Sequence, residues 1–531
     1  MASFSVSEFS GIAPKIAPRL LGNSIAQTAQ NVRLDSGRLE ALPDASSIAQ
    51  TVPSGTKTVY LYSGTVWKSY SEQVDIVEGP IVNDVTERVY YTGSAYPKIY
   101  RNDGGPYRLG VPAPTTTPTV TVTGTATADA LEESRSYVVT YVTSWGEEGP
   151  PSAASVPVEF RDGQSVTIAL PAIPTTNGLN FTTNALKRIY RTNTGSTNTS
   201  YQFVAQVDHT ATTLLDSVTN SGLGEVIPSI SWMRPPDDDA AMFPTGPMQG
   251  LCSMGNGIMA GFSGKTLCFC VPYMPHAWPV SYQLATESDI VAIKPVPGGL
   301  VVGTTGKPYI AQGTDPASIS LIQLESDQAC VSKMSMVDMG EYVMYASPDG
   351  LVSVSGGRAQ LVTEPLLRRS QWQEYGPADM QAMNYEGTYI ASNGTLSIVY
   401  DPRGGKNSLT TCSATFTAAY NHSETDTLYY VDGVSVKKFG QGTGSYSYTW
   451  KSKPFTSTAP RNLGWARLDA NAYPLTFKLY ADTTLIATHS VTDSEPFRLP
   501  SGTRAKQWEI ELSGTSAVNS VAIADNMAEL I

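Results

Sequence analysis

The chain has 531 residues, of which 41% are hydrophobic and only 15% charged, with 45 glycines, 36 prolines and 28 tyrosines. Soluble proteins carry roughly 25% charged residues. Replacing that charge with Thr, Tyr, Gly and Pro is the composition of short strands joined by many turns, and it argues for an all-β fold. The net charge of −12, with no basic run longer than pairs such as Arg368–Arg369 and Lys437–Lys438, argues against a protein built to grip phosphates.

Residues 1–50 read as an extended N-terminal arm. Pro14 and Pro18 forbid a long helix there, and Asn31-Val-Arg-Leu turns at Asp35-Ser-Gly into Arg38-Leu-Glu-Ala-Leu, a hairpin pattern. The opening Met1-Ala-Ser-Phe-Ser-Val lacks the basic and apolar regions of a secretory leader. No apolar run approaches the roughly 20 residues that span a bilayer. Cytoplasmic synthesis without membrane insertion is therefore expected.

Residues 51–111 have the strand–turn–strand rhythm of a first propeller blade or blades. Thr58-Val-Tyr-Leu-Tyr turns at Ser63-Gly64 into Thr65-Val-Trp-Lys-Ser-Tyr, and Arg88-Val-Tyr-Tyr precedes Pro97-Lys-Ile-Tyr-Arg. Trp67, Tyr90, Tyr91 and Tyr100 could stack on sugars, but cross-strand packing is the expected role. Gly110-Val-Pro-Ala-Pro-Thr-Thr-Thr-Pro then reads as a linker.

Residues 112–228 carry a different signature: Ser136-Tyr-Val-Val-Thr-Tyr-Val-Thr, Lys187-Arg-Ile-Tyr-Arg, and Tyr201-Gln-Phe-Val-Ala-Gln-Val. This predicts an inserted immunoglobulin- or fibronectin III-like β-sandwich, richer in acidic than basic residues. Residues 229–445 return to the blade rhythm. Cores at Gly257-Ile-Met-Ala-Gly-Phe, Gly299-Leu-Val-Val-Gly-Thr, Glu341-Tyr-Val-Met-Tyr-Ala, Gly387-Thr-Tyr-Ile-Ala-Ser and Asp426-Thr-Leu-Tyr-Tyr-Val recur at roughly 40–45 residues, the period of four-stranded blades. Asp349-Gly350 and Asp432-Gly433 predict tight hairpins with positive φ at both central positions. Pro365–Tyr375 is the best helix candidate, with the proline in its first turn. Residues 446–531, with alternating Leu475–Leu479 and Trp508–Leu512, predict a C-terminal β-sandwich.

The candidates for chemistry resolve mostly into structure. Gly264-Lys-Thr has Met259 where a phosphate loop needs glycine, so a hairpin turn is expected. Asp237-Asp-Asp lacks the alternating ligands and distal glutamate of a calcium loop and reads as a solvated linker. Glu132-Glu133 and Glu147-Glu148 do not build a glycosidase pair by themselves, because sequence neighbours on a strand point to opposite sides, and within or beside loops they read as exposed charge. Ser347-Pro-Asp349-Gly350 departs from the Ser-x-Asp-x-Gly turn of sialidase-type propellers. Neither a Gly-x-Ser-x-Gly elbow nor a His-Glu-x-x-His zinc motif occurs. Cys252, Cys268, Cys270, Cys330 and Cys412 read as buried free thiols, Cys268 and Cys270 on one strand face. His209, His276, His422 and His489 are too scattered to bind zinc. A non-enzymatic chain with no catalytic, cofactor-binding or metal residue is expected.

The opening through Gln30-Asn-Val-Arg-Leu-Asp-Ser-Gly-Arg-Leu-Glu-Ala-Leu, the segment Glu87-Arg-Val-Tyr-Tyr-Thr-Gly, the Gly-Val-Pro-Ala-Pro exit and Val142-Thr-Ser-Trp-Gly-Glu-Glu-Gly-Pro-Pro-Ser together resemble the tail nozzle (tail-hub) proteins of short-tailed, podovirus-like bacteriophages. The resemblance implies a β-propeller-like body carrying the inserted sandwich. It also implies a homohexameric ring below portal-adaptor proteins, anchoring tail fibres or spikes, in the virion tail. Genomic DNA would pass through without specific binding, along a wall whose acidic charge prevents sticking. Residues 1–50 and 446–531 would supply subunit contacts, and the insert would point outward or toward the tail tip. Two readings stay open beside it. A carbohydrate-binding β-propeller module of a virion or secreted protein would show an exposed aromatic platform, and a glycoside hydrolase would show facing carboxylates.

Overall fold

Short runs rich in Val, Ile, Tyr and Thr, broken by glycine turns, become the strands of the computed structural model, which describes residues 3–176, 178–194 and 199–530. The protein is all-β; among the described residues Arg369–Gln373 is the one α-helix. That helix starts four residues after Pro365. Leu366 and Leu367 are held in the preceding turn by hydrogen bonds to Thr363 O. The backbone N–H of Arg368 then donates to Gln371 Oε1 at 2.9 Å, a capping bond that sets the start where the leucines have already been buried.

Hairpin chemistry is specific. Ser63-Gly64 (φ 52° and 65°), Asn256-Gly257 (50° and 73°) and Glu386-Gly387 (49° and 77°) have positive φ at both central positions, as a type I′ turn requires. The two Asp-Gly dipeptides differ from expectation. Only Gly433 of the Asp432 pair has positive φ, and Asp349-Gly350 has none. The second turn is held instead by the Ser347 hydroxyl, which accepts from Asp349 N and Gly350 N. Gly350 is required there by close approach, since a Cβ would lie 2.2 Å from Thr363 Oγ1.

The chain divides into two compact units. The first comprises residues 1–73, 301–310 and 323–531. Its four-stranded sheets include Val337–Asp338, Val343–Ala346, Leu351–Ser355 and Arg358–Leu361, and a second made from Ala419–His422, Thr427–Asp432, Ser435–Lys438 and Ser46–Thr51. A third run, Gln381–Tyr385 through Leu409–Cys412, continues into a larger sheet because Thr28–Gln30 is inserted beside it. That strand pairs parallel with Leu409–Cys412 and antiparallel with Tyr448–Lys451. Beyond it lie Ala505–Gly514, Leu475–Ala481 and the edge strand Thr484–Val491.

The N-terminal segment, expected as an extended arm, is thus woven into the first unit. Phe9, Ile12, Leu21, Ala29, Val32 and Leu39 share a core with Trp372, Trp450, Phe477 and Trp508. Its apolar spacing forces this, since such a row left in water would forgo roughly 1.5–3 kcal/mol per large side chain. Residues 446–531 are likewise not self-contained: Ser3–Val6 pairs with Val518–Ala524, which pairs with Trp465–Ala470.

The second unit comprises residues 74–300 and 311–322. Two four-stranded sheets, from Asp75–Glu78 to Gly104–Arg108 and from Gln249–Gly255 to Gln283–Ala285, bury Tyr90, Ile99, Met259, Cys268, Cys270 and Trp278 in one cluster. Asp75 Oδ2 accepts from Gly250 N at 2.8 Å, and Thr92 Oγ1 accepts from Leu251 N at 3.2 Å. Between these sheets in sequence lies a two-layer region. Thr119–Thr123, Ser165–Ala169 and Thr213–Asp216 form one layer, while Tyr137–Val142, Leu186–Thr194 and Thr199–Asp208 form the other. Val166, Ile168 and Leu170 meet Tyr137, Val139, Ile189 and Val204 in its core. At its centre the ion pair Arg191–Asp216, fully buried at 2.6 Å, also receives the Tyr137 hydroxyl at 2.8 Å.

Candidate functional site

The two connections of the two-layer region run side by side and form a neck with a cleft of about 570 Å³. The segment expected as a linker is pinned here rather than loose. A Cβ on Gly110 (φ 92°) would lie 2.5 Å from Pro235 Cδ, and one on Gly149 would lie 2.6 Å from Val111. Arg108, at the end of its strand, reaches across the neck to Asp238 with two bonds of 2.6 and 3.0 Å, its guanidinium 3.6 Å over the Tyr96 ring.

The adjoining acidic run is correspondingly not the solvated linker its composition predicts. Arg234 Nε lies 3.0 Å from Asp237 and Arg234 Nη2 lies 2.7 Å from Asp239, while Asp237 Oδ1 accepts from Asp239 N. Asp237 is buried, and burial raises its carboxyl from the ordinary range. Asp238 is lowered by its bonds to Arg108. Asp238 and Asp239 keep 46% and 42% of their side-chain surface exposed, facing a cleft also lined by Pro112, Pro114, Thr115, Tyr141, Pro174 and Met242. Sequence reasoning missed Arg108 and Arg234. The available signal was Arg234-Pro-Pro immediately before three aspartates, a cation with no other reason to sit there.

The acidic pair Glu147-Glu148 is also corrected: Glu148 is buried and Glu147 keeps only 15% of its side-chain surface, so neither is exposed loop charge. Glu148 accepts from Thr140 Oγ1 at 2.7 Å, Tyr190 Oη at 2.7 Å and Arg188 Nη1 at 2.8 Å. Glu147 Oε1 lies 4.0 Å from His276 Nδ1, and its backbone N–H donates to Thr143 Oγ1. Burial pushes the Glu147 carboxyl up to about 7 against the pull of Arg88, Thr143 and Arg101, and burial lowers His276 to about 4. Trp145 of the same segment packs against Tyr107 and lies 4.3 Å beneath the Arg101 guanidinium. The Glu132-Glu133 pair does stay at the surface, bonded to Arg161 and Arg135.

The other candidates fall apart as sites. Tyr90 and Tyr91 are buried and Tyr100 half-buried, while Trp67 packs edge-on against Tyr429, so these four do not make an exposed platform. Gly264 (φ 56°) turns the hairpin between Ile258–Ser263 and Thr266–Phe269. Ser347 supports Trp372, whose Nε1 donates to its carbonyl at 2.8 Å. All five cysteines are free and buried, and burial pushes Cys252, Cys268, Cys270 and Cys330 up to about 12. Among the described residues no group of three or more His, Cys, Asp or Glu is placed to hold a metal ion.

A second concavity, in the first unit, holds about 120 Å³ over an apolar floor of Phe9, Val32, Leu34 and Ile390. Its rim carries the pairs Arg33–Asp35, Arg33–Glu386 and Arg403–Asp401. Each carboxylate is thereby countered by a guanidinium.

No protein-family model matches the chain, and no curated protein matches it. Among solved structures, the chain is similar to BamB from Moraxella catarrhalis at a TM-score of 0.31 and 10% identity, covering 76% of this chain and 96% of that one. It is also similar to the Pan2 WD40 domain of Neurospora crassa at a TM-score of 0.27 and 9% identity, covering 55% and 84%. Both likenesses are distant, and the all-β fold stands on the strands described above.

Proposed function

We propose that the chain is a structural, non-enzymatic subunit of a phage tail nozzle or tail hub. In this reading a β-propeller-like body carries a fibronectin III- or immunoglobulin-like insert over residues 112–228 and a C-terminal sandwich. Copies assemble into a ring, a homohexamer, below the portal-adaptor and continue the DNA ejection channel, with fibres or spikes anchored around it. The observation that carries the reading is where the residues behind the resemblance lie. Asn31, from Gln30-Asn-Val-Arg-Leu, adopts φ 56°, donates to Ser447 O at 3.1 Å and accepts from Ser413 N and Oγ at 2.8 and 3.0 Å. Glu148 and Trp145, from Trp-Gly-Glu-Glu-Gly, are spent on internal bonds and packing. Residues spent on internal hydrogen bonds and packing stiffen the body, as the wall of a channel requires. Glu148, the buried carboxylate of that segment, faces two hydroxyls and a guanidinium rather than an open catalytic cleft.

The test is the mass of the purified full-length protein in solution, with electron microscopy of any species larger than a monomer. A closed ring around a channel wide enough for duplex DNA supports the proposal. A protein that stays monomeric alone and when mixed with portal-adaptor rings overturns it.

A further inference from the structure

We infer that the neck cleft of the second unit is a binding site for a neutral oligosaccharide, a property that goes beyond the nozzle reading and stands on separate residues. At about 570 Å³ the cleft has the size of small-molecule sites, which span roughly 300–1,000 Å³. It is preformed. Arg108 N donates to Gly178 O at 2.7 Å, Arg108 clamps Asp238 across the neck, and Gly110 and Gly149 leave no room for the connections to separate without loss of packing. A preformed cleft avoids the ordering cost that weakens binding by loose loops.

The chemistry selects the ligand class. Asp238 and Asp239 are half-exposed and already oriented by Arg108 and Arg234. A carboxylate has about four lone-pair positions and a guanidinium five donors. Asp239 accepts from Arg234 Nη2, Ala241 N and Met242 N, and Asp238 accepts twice from Arg108. Acceptor capacity therefore remains on carboxylate oxygens set beside guanidinium groups. Vicinal hydroxyls of a sugar, each of which donates, match acceptors presented by neighbouring carboxylates. Bonds to an ionised carboxylate are roughly twice as strong as neutral ones. Pro112, Pro114, Pro174 and Met242 supply apolar walls for the C–H faces of a sugar ring.

Three carboxylates against two guanidiniums repel anionic ligands, including nucleic acid. A simple cation gains little because each carboxylate already has its arginine. An uncharged, hydroxyl-dense ligand satisfies both constraints.

The full-length protein is screened on an array of neutral and anionic oligosaccharides, and the best binder is then titrated by calorimetry. Retention of neutral oligosaccharides is expected, with Asp238→Asn and Asp239→Asn each weakening binding at least tenfold. Thr115→Trp, which fills the cleft and leaves the Arg–Asp pairs untouched, should abolish it while ring formation and the melting temperature are unchanged. A blank array, selective binding of anionic oligosaccharides, or affinity unaltered by both Asp238→Asn and Thr115→Trp overturns the inference. Each of those results leaves the nozzle reading to its own test, since ring assembly is measured separately.

Discussion

Removing one carboxylate at the centre of the two-layer region exposes how much of its stability is electrostatic. Arg191 and Asp216 are both fully buried, 2.6 Å apart. Asp216 also accepts from Tyr137 Oη at 2.8 Å and Val218 N at 2.9 Å, while Arg191 donates to Val218 O and Asn220 Oδ1. Asp216→Ala strands a guanidinium in a dry core, a change that costs about 4 kcal/mol. A penalty of that size opens the region about a thousandfold more often. Hydrogen exchange on the peptides covering Tyr137–Val142 and Leu186–Thr194 reads it directly. The double variant Arg191→Met/Asp216→Ala removes the stranded charge and should recover at least half the loss, the signature of a pair whose attraction mainly repays its own desolvation. Exchange accelerated less than tenfold in Asp216→Ala, or a double variant no better than the single, would refute the reasoning.

Other outcomes follow from the same geometry. Asn31→Ala should cost about 3 kcal/mol for three lost hydrogen bonds, and Asn31→Gly, which keeps the left-handed backbone at no steric penalty, somewhat less; urea midpoints measure both. Burial keeps Glu147 protonated up to about 7, above the roughly 4.3 of an unfolded glutamate, so its contribution to stability is lost as pH rises through that interval. Burial instead lowers His276 to about 4, below the roughly 6.5 of a free histidine, so its contribution is lost as pH falls. The two slopes oppose one another below about pH 6.5; Glu147→Gln should leave stability climbing with pH from about 4 to 6.5, and a flat or falling urea-midpoint profile would contradict the assignment. A thiol-reactive chromogenic disulfide should label none of the five cysteines in the native protein and all five in denaturant, because burial holds the thiols protonated.

What the sequence could and could not convey divides along contact distance. The hairpin at Ser63-Gly64 and the strand cores Ile258–Ser263, Val343–Ala346 and Thr427–Asp432 were readable, because each pairs with a strand only a turn away and its alternation needs no distant partner. Glycine served well where it supplied φ. It misled at Asp349-Gly350, where the requirement is clearance from Thr363. The acidic runs misled most. Asp238 is countered by Arg108, 130 residues earlier, and Glu148 by Arg188, 40 residues later. A charge looks solvated in sequence whenever its partner is that remote. The neck cleft was invisible for the same reason, being assembled from Arg108 to Thr115, from Tyr141, Ala172, Pro174, Thr176 and Leu179, and from Arg234 to Met242.

The strand Thr28–Gln30 also imposes an order on synthesis. The adjacent Asn31 bonds to Ser413 and Ser447, 382 and 416 residues downstream. At translation rates of roughly 5–20 residues per second the N-terminal apolar row must wait roughly 20 to 80 s for its partners to leave the ribosome. During that interval Phe9, Ile12 and Leu21 have no core to enter. The first unit is therefore a structure the nascent chain closes last, from its oldest end, and truncation near the C-terminus should yield aggregates rather than a smaller folded protein.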